Sequence, residues 1–529
     1  MRKIVFMRAR FFFMSAVVVA VLVTACRAPV ACEKTDLTCD PLALWLYYTS
    51  VQPTCLVRSQ TQQGWLFFSG GAGEDDFGNN VCGLADGSVI FAAQSNEADP
   101  TAQGIAPLTA FGGAMFDINI RFYQAGPDGY LSRWTYFGGP GANHDVVRVT
   151  EAPGGGFYAV SSGNVPVTTY AGLTPLIAHQ GGGNDIVLLR FDSNMRVLWY
   201  TYIGGAGIDR GIALVPTSDG GVMVLGSSDQ AHTIQGAAPL QAFAGAQDAV
   251  LYRVSAAGSV EWFTFFGGSG FETATGMARV PVEPLFSGQS RASEVFVISF
   301  AAAADIATFA GLTPFRAYTG GTDLALAWIT GEGVIQRYGF YGSSANEVGG
   351  PLVVSRTGAI YVGGGANANI PTLDGLTPLN PYVASSDGWL LRLTGDGTVV
   401  NHRFFGSAVV DQIGGMNESV SGDLVLVMHL SNTTSLGVTP VYANAGAVDA
   451  AFLRIDAADT IQTFGYYGSA LNETGVGIAP TIDGGAILTG EAPGGGFVPP
   501  DGVPVLEAAN PASVEEYYLR VFADGRTIR

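Results

Sequence analysis

The stretch WYTYIGGAGID (199–209) decides the architecture, because six near-copies of it stand elsewhere in the chain. They read WLFFSGGAGED (65–75), WTYFGGPGANHD (134–145), WFTFFGGSGFE (262–272), RYGFYGSSANE (337–347), HRFFGSAVVD (402–411) and TFGYYGSALNE (463–473). Each is an aromatic stretch, a pair of small residues and then an acid. Their first glycines, Gly70, Gly138, Gly204, Gly267, Gly342, Gly406 and Gly468, lie 68, 66, 63, 75, 64 and 62 residues apart. A period in that range marks a repeat architecture.

Each period carries further matched segments. After the phrase comes a turn, often DG or GG, and an apolar run such as DGSVIFAA (86–93), DGGVMVLG (219–226) or DGGAILTG (483–490). Glycine reaches the positive φ that such tight turns need. A loop reading AGLTPL or a near variant follows, then a third run opening on an acid, such as DIVLLR (185–190) or DAVLYR (248–253). A short turn such as AAG (256–258) returns the chain to the next aromatic phrase. This makes four strands per repeat, and the middle runs are apolar at consecutive positions, as strands buried on both faces are. The spacing predicts an all-β fold, a seven-bladed β-propeller with four antiparallel strands per blade. The seventh unit stops part-way into its fourth strand, while the first phrase stands alone. An N-terminal strand within residues 62–69 is therefore expected to close the ring and remove two exposed sheet edges.

The YFGG-x-G-x-D/E phrases, the DG turns and the D-x-x-L-x-R segments together resemble the bacterial SBBP-type β-propeller-repeat family, which includes lipoproteins. The resemblance covers residues 62–529. It implies a seven-bladed propeller of the cell envelope and supplies no catalytic motif. The chain departs from the pattern at Asp145, two residues late in its phrase, and at an insertion, residues 281–293.

Arg2, Lys3, Arg8 and Arg10 precede an apolar stretch from Phe11 to Val23 that meets Val23-Thr24-Ala25-Cys26. Basic, apolar and small-residue regions in that order make an export signal. Its ending resembles a lipobox, so residues 1–25 are expected to be removed, Cys26 lipidated, and residues 26–61 to form a tether. More than one acyl chain would anchor the protein firmly in a membrane. Cys32, Cys39, Cys55 and Cys82 remain; an even count permits disulfides. Cys39 with Cys55 is the favoured pair, with free buried thiols as the alternative.

The apolar fraction, 48%, fills a large core, and 73 glycines serve the turns. The formal charge is −19, and loss of residues 1–25 with their four basic groups takes it to −23. Nucleic acid is excluded as a partner, since phosphate binding relies on Lys and Arg.

Strands alternate in direction, so the phrase loop and the GLTPL loop share one face of the disc. Two sets of acids fall there. The first is Asp75, Asp209, Glu272, Glu347, Asp411 and Glu473, with Asn143 at the matching place in the second blade. The second is Asp117, Asp185, Asp248, Asp323, Asp387 and Asp449 with Glu515 or Glu516. Carboxylates ringed about an axis repel unless something offsets them. Either backbone amides of the glycine loops cap them, or a cation such as calcium sits in the mouth. Recurrence in every blade favours capping, and no cofactor is otherwise implied. In four blades an arginine follows the second acid by five residues, at Arg190, Arg253, Arg392 and Arg454, and Arg520 follows Glu515 likewise; pairing between neighbouring blades is expected.

Function should reside where the repeat breaks. The candidates are His144, Ser287 and Arg291 in the insertion, and Trp389, with His179 and His232 behind them. The histidines show no metal-ligating spacing, and no GxSxG elbow carries a nucleophile. The expected role is a lipid-anchored, monomeric scaffold of the bacterial envelope, at the outer membrane or cell surface, that binds a protein or glycan. The alternatives are a propeller enzyme, a quinone-dependent dehydrogenase or hydrolase, and a purely structural envelope component.

Overall fold

Runs such as Val222–Ser228 and Asp248–Val254 are buried along their whole length, because each lies mid-sheet with another sheet on either side. The computed structural model describes residues 55–58, 64–69, 77–96, 98–113, 117–281, 294–407, 409–431, 436–493, 497, 501–509 and 514–528, all within one compact unit. They form a seven-bladed β-propeller. Blades one to six span residues 77–137, 148–203, 209–266, 272–341, 347–405 and 412–467, each an antiparallel four-stranded sheet in chain order. Apolar side chains of neighbouring sheets interlock; Tyr158, Val160, Ile186 and Leu188 of blade two pack with Val222, Val224, Val250 and Tyr252 of blade three.

Blade seven takes three strands from the C-terminal part of the chain (Gly477–Pro480, Ala486–Pro493 and Val514–Val521) and its fourth from Leu66–Ser69. Leu66 faces Leu519, Phe67 faces Tyr518 and Phe68 faces Tyr517 in an antiparallel ladder, so the ring closes as the repeat arithmetic requires. Residues ahead of that strand are also packed on the disc. Val57 donates to Pro480 O (2.9 Å) and accepts from Ile482 N (3.0 Å), and Cys55 O accepts from Gly83 N (3.0 Å).

This placement corrects the disulfide. Cys55 is bonded to Cys82, with Cα atoms 4.3 Å apart, and not to Cys39, which lies outside the described residues. Cys82 sits on the first strand of blade one (Phe77–Gly83), beside the point where residues 55–58 cross from blade seven. The bond thus ties the closing segment to the next blade.

Two repeated devices protect the rim. The GLTPL loop runs out to the fourth strand, where Leu108, Leu176, Leu240, Phe315, Leu379 and Val441 donate their amides to Trp134, Tyr200, Phe263, Tyr338, His402 and Phe464 at 2.7–3.0 Å. In blade seven Val505–Glu507 pairs with the closing strand in the same place. The edge that would template aggregation is thereby covered. Tryptophans then clasp the next blade: Nε1 of Trp65, Trp199, Trp262 and Trp328 donates to Pro127, Ala256, Gly331 and Gly395 O at 2.8, 3.0, 3.1 and 3.0 Å. The receiving turn needs glycine for both conformation and space. Gly129 has φ +81°, and a Cβ there would lie 2.6 Å from Trp65 Cδ2.

Candidate binding face and central channel

The acids of the repeated phrase are internal to the blade junctions. Asp209, Glu272, Glu347, Asp411 and Glu473 are fully buried, and Asp75 lies outside the described residues. Four of them accept from an amide four residues back: Gly205 to Asp209 (2.7 Å), Gly268 to Glu272 (2.9 Å), Ser343 to Glu347 (2.8 Å) and Ser469 to Glu473 (3.0 Å). Asp411 accepts from Ser407 Oγ and Ser431 N, both at 2.8 Å. The expected capping by the loop is what the structure has. None of these acids is among the residues that line the channel.

The second set meets the first across each junction. Asp185, Asp248, Asp323, Asp387 and Asp449 accept from Gln180, Ala244, Thr319, Val383 and Ala445 N at 2.6, 2.8, 2.6, 2.6 and 2.7 Å. Between each such acid and its counterpart on the next blade lies the first glycine of the phrase. A Cβ on Gly267 would fall 2.2 Å from Asp248 Oδ1 and 2.8 Å from Glu272 Oε2. Gly342 stands likewise between Asp323 and Glu347, and Gly468 between Asp449 and Glu473. The glycine of the phrase is thus the seat of a carboxylate pair. Burial pushes Asp248 up to about 6, and burial with the charge of Asp248 pushes Glu272 up to about 7. Desolvation disfavours the charged form, and a neighbouring like charge adds to it.

Blade two breaks the pattern, and the register shows how. His144 bridges Gly163 as Asp209 pairs with Ser228. His144 N donates to Ile118 O at 3.1 Å, as the phrase acids do in other blades. His144, and not Asn143, therefore holds the acid's place. Its partner is Asn119, which pairs with Ser95 as Asp248 pairs with Ser228; Asp117 lies two residues early. Four residues before His144 stands Pro140, which has no N–H to offer a carboxylate. His144 is buried against Phe137, and burial lowers its pKa to about 4.

Two candidate binding residues are thus corrected. His144 is an interior residue of the first junction. Trp389 belongs to the core between blades four and five, 2% exposed, with Nε1 donating to His402 Nδ1 at 3.5 Å. Large apolar rings go inside when a mid-sheet strand offers them two covered faces. Ser287 and Arg291 lie outside the described residues. The insertion that holds them leaves blade four between Glu272–Arg279 and Val295–Ala302, where Val280 N donates to Val295 O at 2.8 Å. That hairpin opens on the face opposite the acids.

The strand-three arginines sit at the other end of their strands from the acids. Arg253, Arg454 and Arg520 pair with Asp219, Asp423 and Asp483 of their own blades at 2.8, 2.6 and 2.6 Å. Arg392 reaches Asp459 on the next blade, and Arg190 donates to Gly155 O at 2.7 Å. The expected pairing between blades holds for Arg392 and for Arg253, whose Nη1 also lies 3.9 Å from Glu294 Oε2 of blade four; the other acids of this set are mostly hairpin-tip residues.

First strands of all seven blades line a central cavity of about 480 Å³. Residues opposite the same point of the second strand are Asn80, Arg148, Ala213, Gly276, Gly415 and Ile478, with a bulge at Gly350 and Pro351 in blade five. Arg148 is the one charged residue of that level. Its signal in the sequence is VVRVT (146–150), where blade three reads GIALV (211–215).

No family model matches this chain, and no curated protein does. Among solved structures, a protein of unknown function from Dyadobacter fermentans is similar at 10% identity, over 71% of this chain and 93% of that one, with a TM-score of 0.35. A mutant apocarotenoid oxygenase from Synechocystis is similar at 11% identity, over 90% and 98%, also with a TM-score of 0.35. Likeness at this distance carries neither ligand nor reaction across.

Proposed function

We propose that the chain is a lipid-anchored propeller of the bacterial envelope that binds a protein or glycan through the loops that depart from the repeat. The observation that supports this reading is the internal use of the repeated chemistry. The phrase acids are buried and capped one blade at a time, so the conspicuous motif serves assembly. Rigid scaffolds of this kind hold binding residues on irregular loops. The insertion at 281–293 is the largest such departure, and its flanks are already paired.

The histidines favour binding over catalysis. His179 donates and accepts within its own loop region, to Gly163 O and from Gly181 N at 3.0 Å each. His232 bonds Tyr252 Oη at 2.9 Å and stacks on Phe263. The basic, apolar and Val-Thr-Ala-Cys order at the N-terminus supports anchoring through Cys26.

One set of strains tests both parts. The full chain and a variant with residues 282–293 replaced by a two-residue turn are compared for retention of envelope proteins and for binding to a glycan array. The variant should melt within about 1 kcal/mol of the parent and lose the bound partner. Retention of the same partner would count against the loop. Labelling with an alkynyl fatty acid should mark the parent and not Cys26→Ser; equal labelling would remove the anchor.

A further inference from the structure

The channel mouth on the acid face is ringed by apolar side chains that the fold leaves in water. Val146, Ile208, Phe271, Val348, Val410 and Leu471 are 39–59% exposed, and blades two to seven supply one each. Each lies within two residues of the phrase acid, or of His144 in its place. They therefore stand where the first strands begin, around the opening of the channel. Single exposed apolar residues are ordinary, and on the rim they have an internal use. Leu176 and Leu240 cover glycine turns of the next blade, where a Cβ on Gly258 or Gly333 would lie 2.4 Å from their Cδ1 atoms. Side chains as open as Phe271 and Val410 bring little apolar surface out of water when the chain folds, so burial in the disc does not account for a mouth that is apolar in blade after blade.

The charge around these residues is of one sign. Asp145, Asp229 and Asp305 reach solvent on the same face. Asp229 Oδ1 accepts from Ile208 N at 2.7 Å, and Ala303 N, two residues before Asp305, donates to Phe271 O at 3.1 Å. Acid and apolar groups therefore stand side by side over blades two to four. Four arginines among the described residues are exposed. Arg196, Arg279 and Arg526 lie at strand ends on the opposite face, and Arg210 alone lies here, 3.4 Å from Asp145. A second copy of the chain docked through this face would set like charges against each other, as would a polyanion. A segment that carries basic and apolar residues on one side satisfies both kinds of group.

We propose that the acid face docks a cationic amphipathic segment of another protein, its apolar side chains on Ile208 and Phe271 at the channel mouth and its basic groups beside Asp145, Asp229 and Asp305. This surface does not rest on the insertion, which opens on the opposite face. The test is a fluorescence anisotropy titration of the full-length chain into a labelled synthetic peptide of leucine and lysine patterned at the helical repeat. A peptide with glutamate for each lysine and one with serine for each leucine are the controls. The leucine-lysine peptide should bind, and neither control should match it. Ile208→Ser with Phe271→Ser should weaken it at least about tenfold, and Asp145→Asn with Asp305→Asn should weaken it several-fold. Val334→Ser, which alters a residue 60% exposed on the opposite face, should change nothing. Should the double serine variant fail to fold, Phe271→Ser alone carries the test. No binding, equal binding of either control peptide, unchanged affinity in a folded mouth variant, or an equal loss in Val334→Ser would each overturn the proposal.

Discussion

Replacing Trp65 by alanine should destabilise the propeller by about 3–5 kcal/mol, the range for removing a fully packed large aromatic. Trp65 is 2% exposed, meets Phe91 edge-on at 6.1 Å and donates to Pro127 O at 2.8 Å. It therefore joins the closing strand of blade seven to the turn of blade one. The same clasp at Trp199 is half-buried and lies at a junction that the chain crosses covalently. Trp199→Ala should lose about 1–2 kcal/mol, since less apolar surface leaves water there. Equilibrium urea denaturation of both variants measures the difference. Equal losses would mean that the closure junction has no special place in stability.

The second large effect is expected at Arg121, in the same junction. This side chain is fully buried, pairs with Glu516 of blade seven at 3.0 Å and also pairs with Asp99. Glu516 is itself fully buried. Arg121→Met takes away the guanidinium that faces both carboxylates, and breaking one side of a buried pair costs about 3–5 kcal/mol. Adding Glu516→Gln should restore part of the loss, because the uncompensated charge is then gone. If Arg121→Met unfolds at the parental urea concentration, the ion pair is not holding the ring closed.

The repeat made the blades legible because the first and third strands of most blades open on or beside an acid and glycine turns join them to the second and fourth. The closing strand was legible from a missing fourth strand alone. What the sequence hid was register. His144 and Asn143 differ by one residue, and only the bridge to Gly163 shows which of them takes the acid's place. Asp117 misled in the same way, since Asn119 carries no charge to reveal its equivalence. The pairing of Cys55 depended on a segment crossing two blades, which no local spacing encodes. Trp389 looked irregular because tryptophan is rare, yet its strand position is an ordinary core site. Arg148 escaped notice for the opposite reason: an arginine in a strand is common until the level it shares with six other blades is known.

The central claim is that the repeated carboxylates build the disc, each capped by its own loop. Glu272→Gln tests it most directly. Its Oε2 accepts from Gly268 N at 2.9 Å, while Oε1 has no partner among the described residues. Glutamine can keep the first bond and turn its amide toward Asp248. Glu272 is raised from 4.5 to about 7 in the fold, so its stabilising protonated form is fully present below pH 4.5 and is lost as pH rises through about 7. The variant has no such loss. Its midpoint should match the parent near about pH 4 and exceed it by roughly 2 kcal/mol near about pH 8, with no response to calcium in either protein. A calcium-dependent rise in the parent's midpoint that Glu272→Gln abolishes would contradict the account.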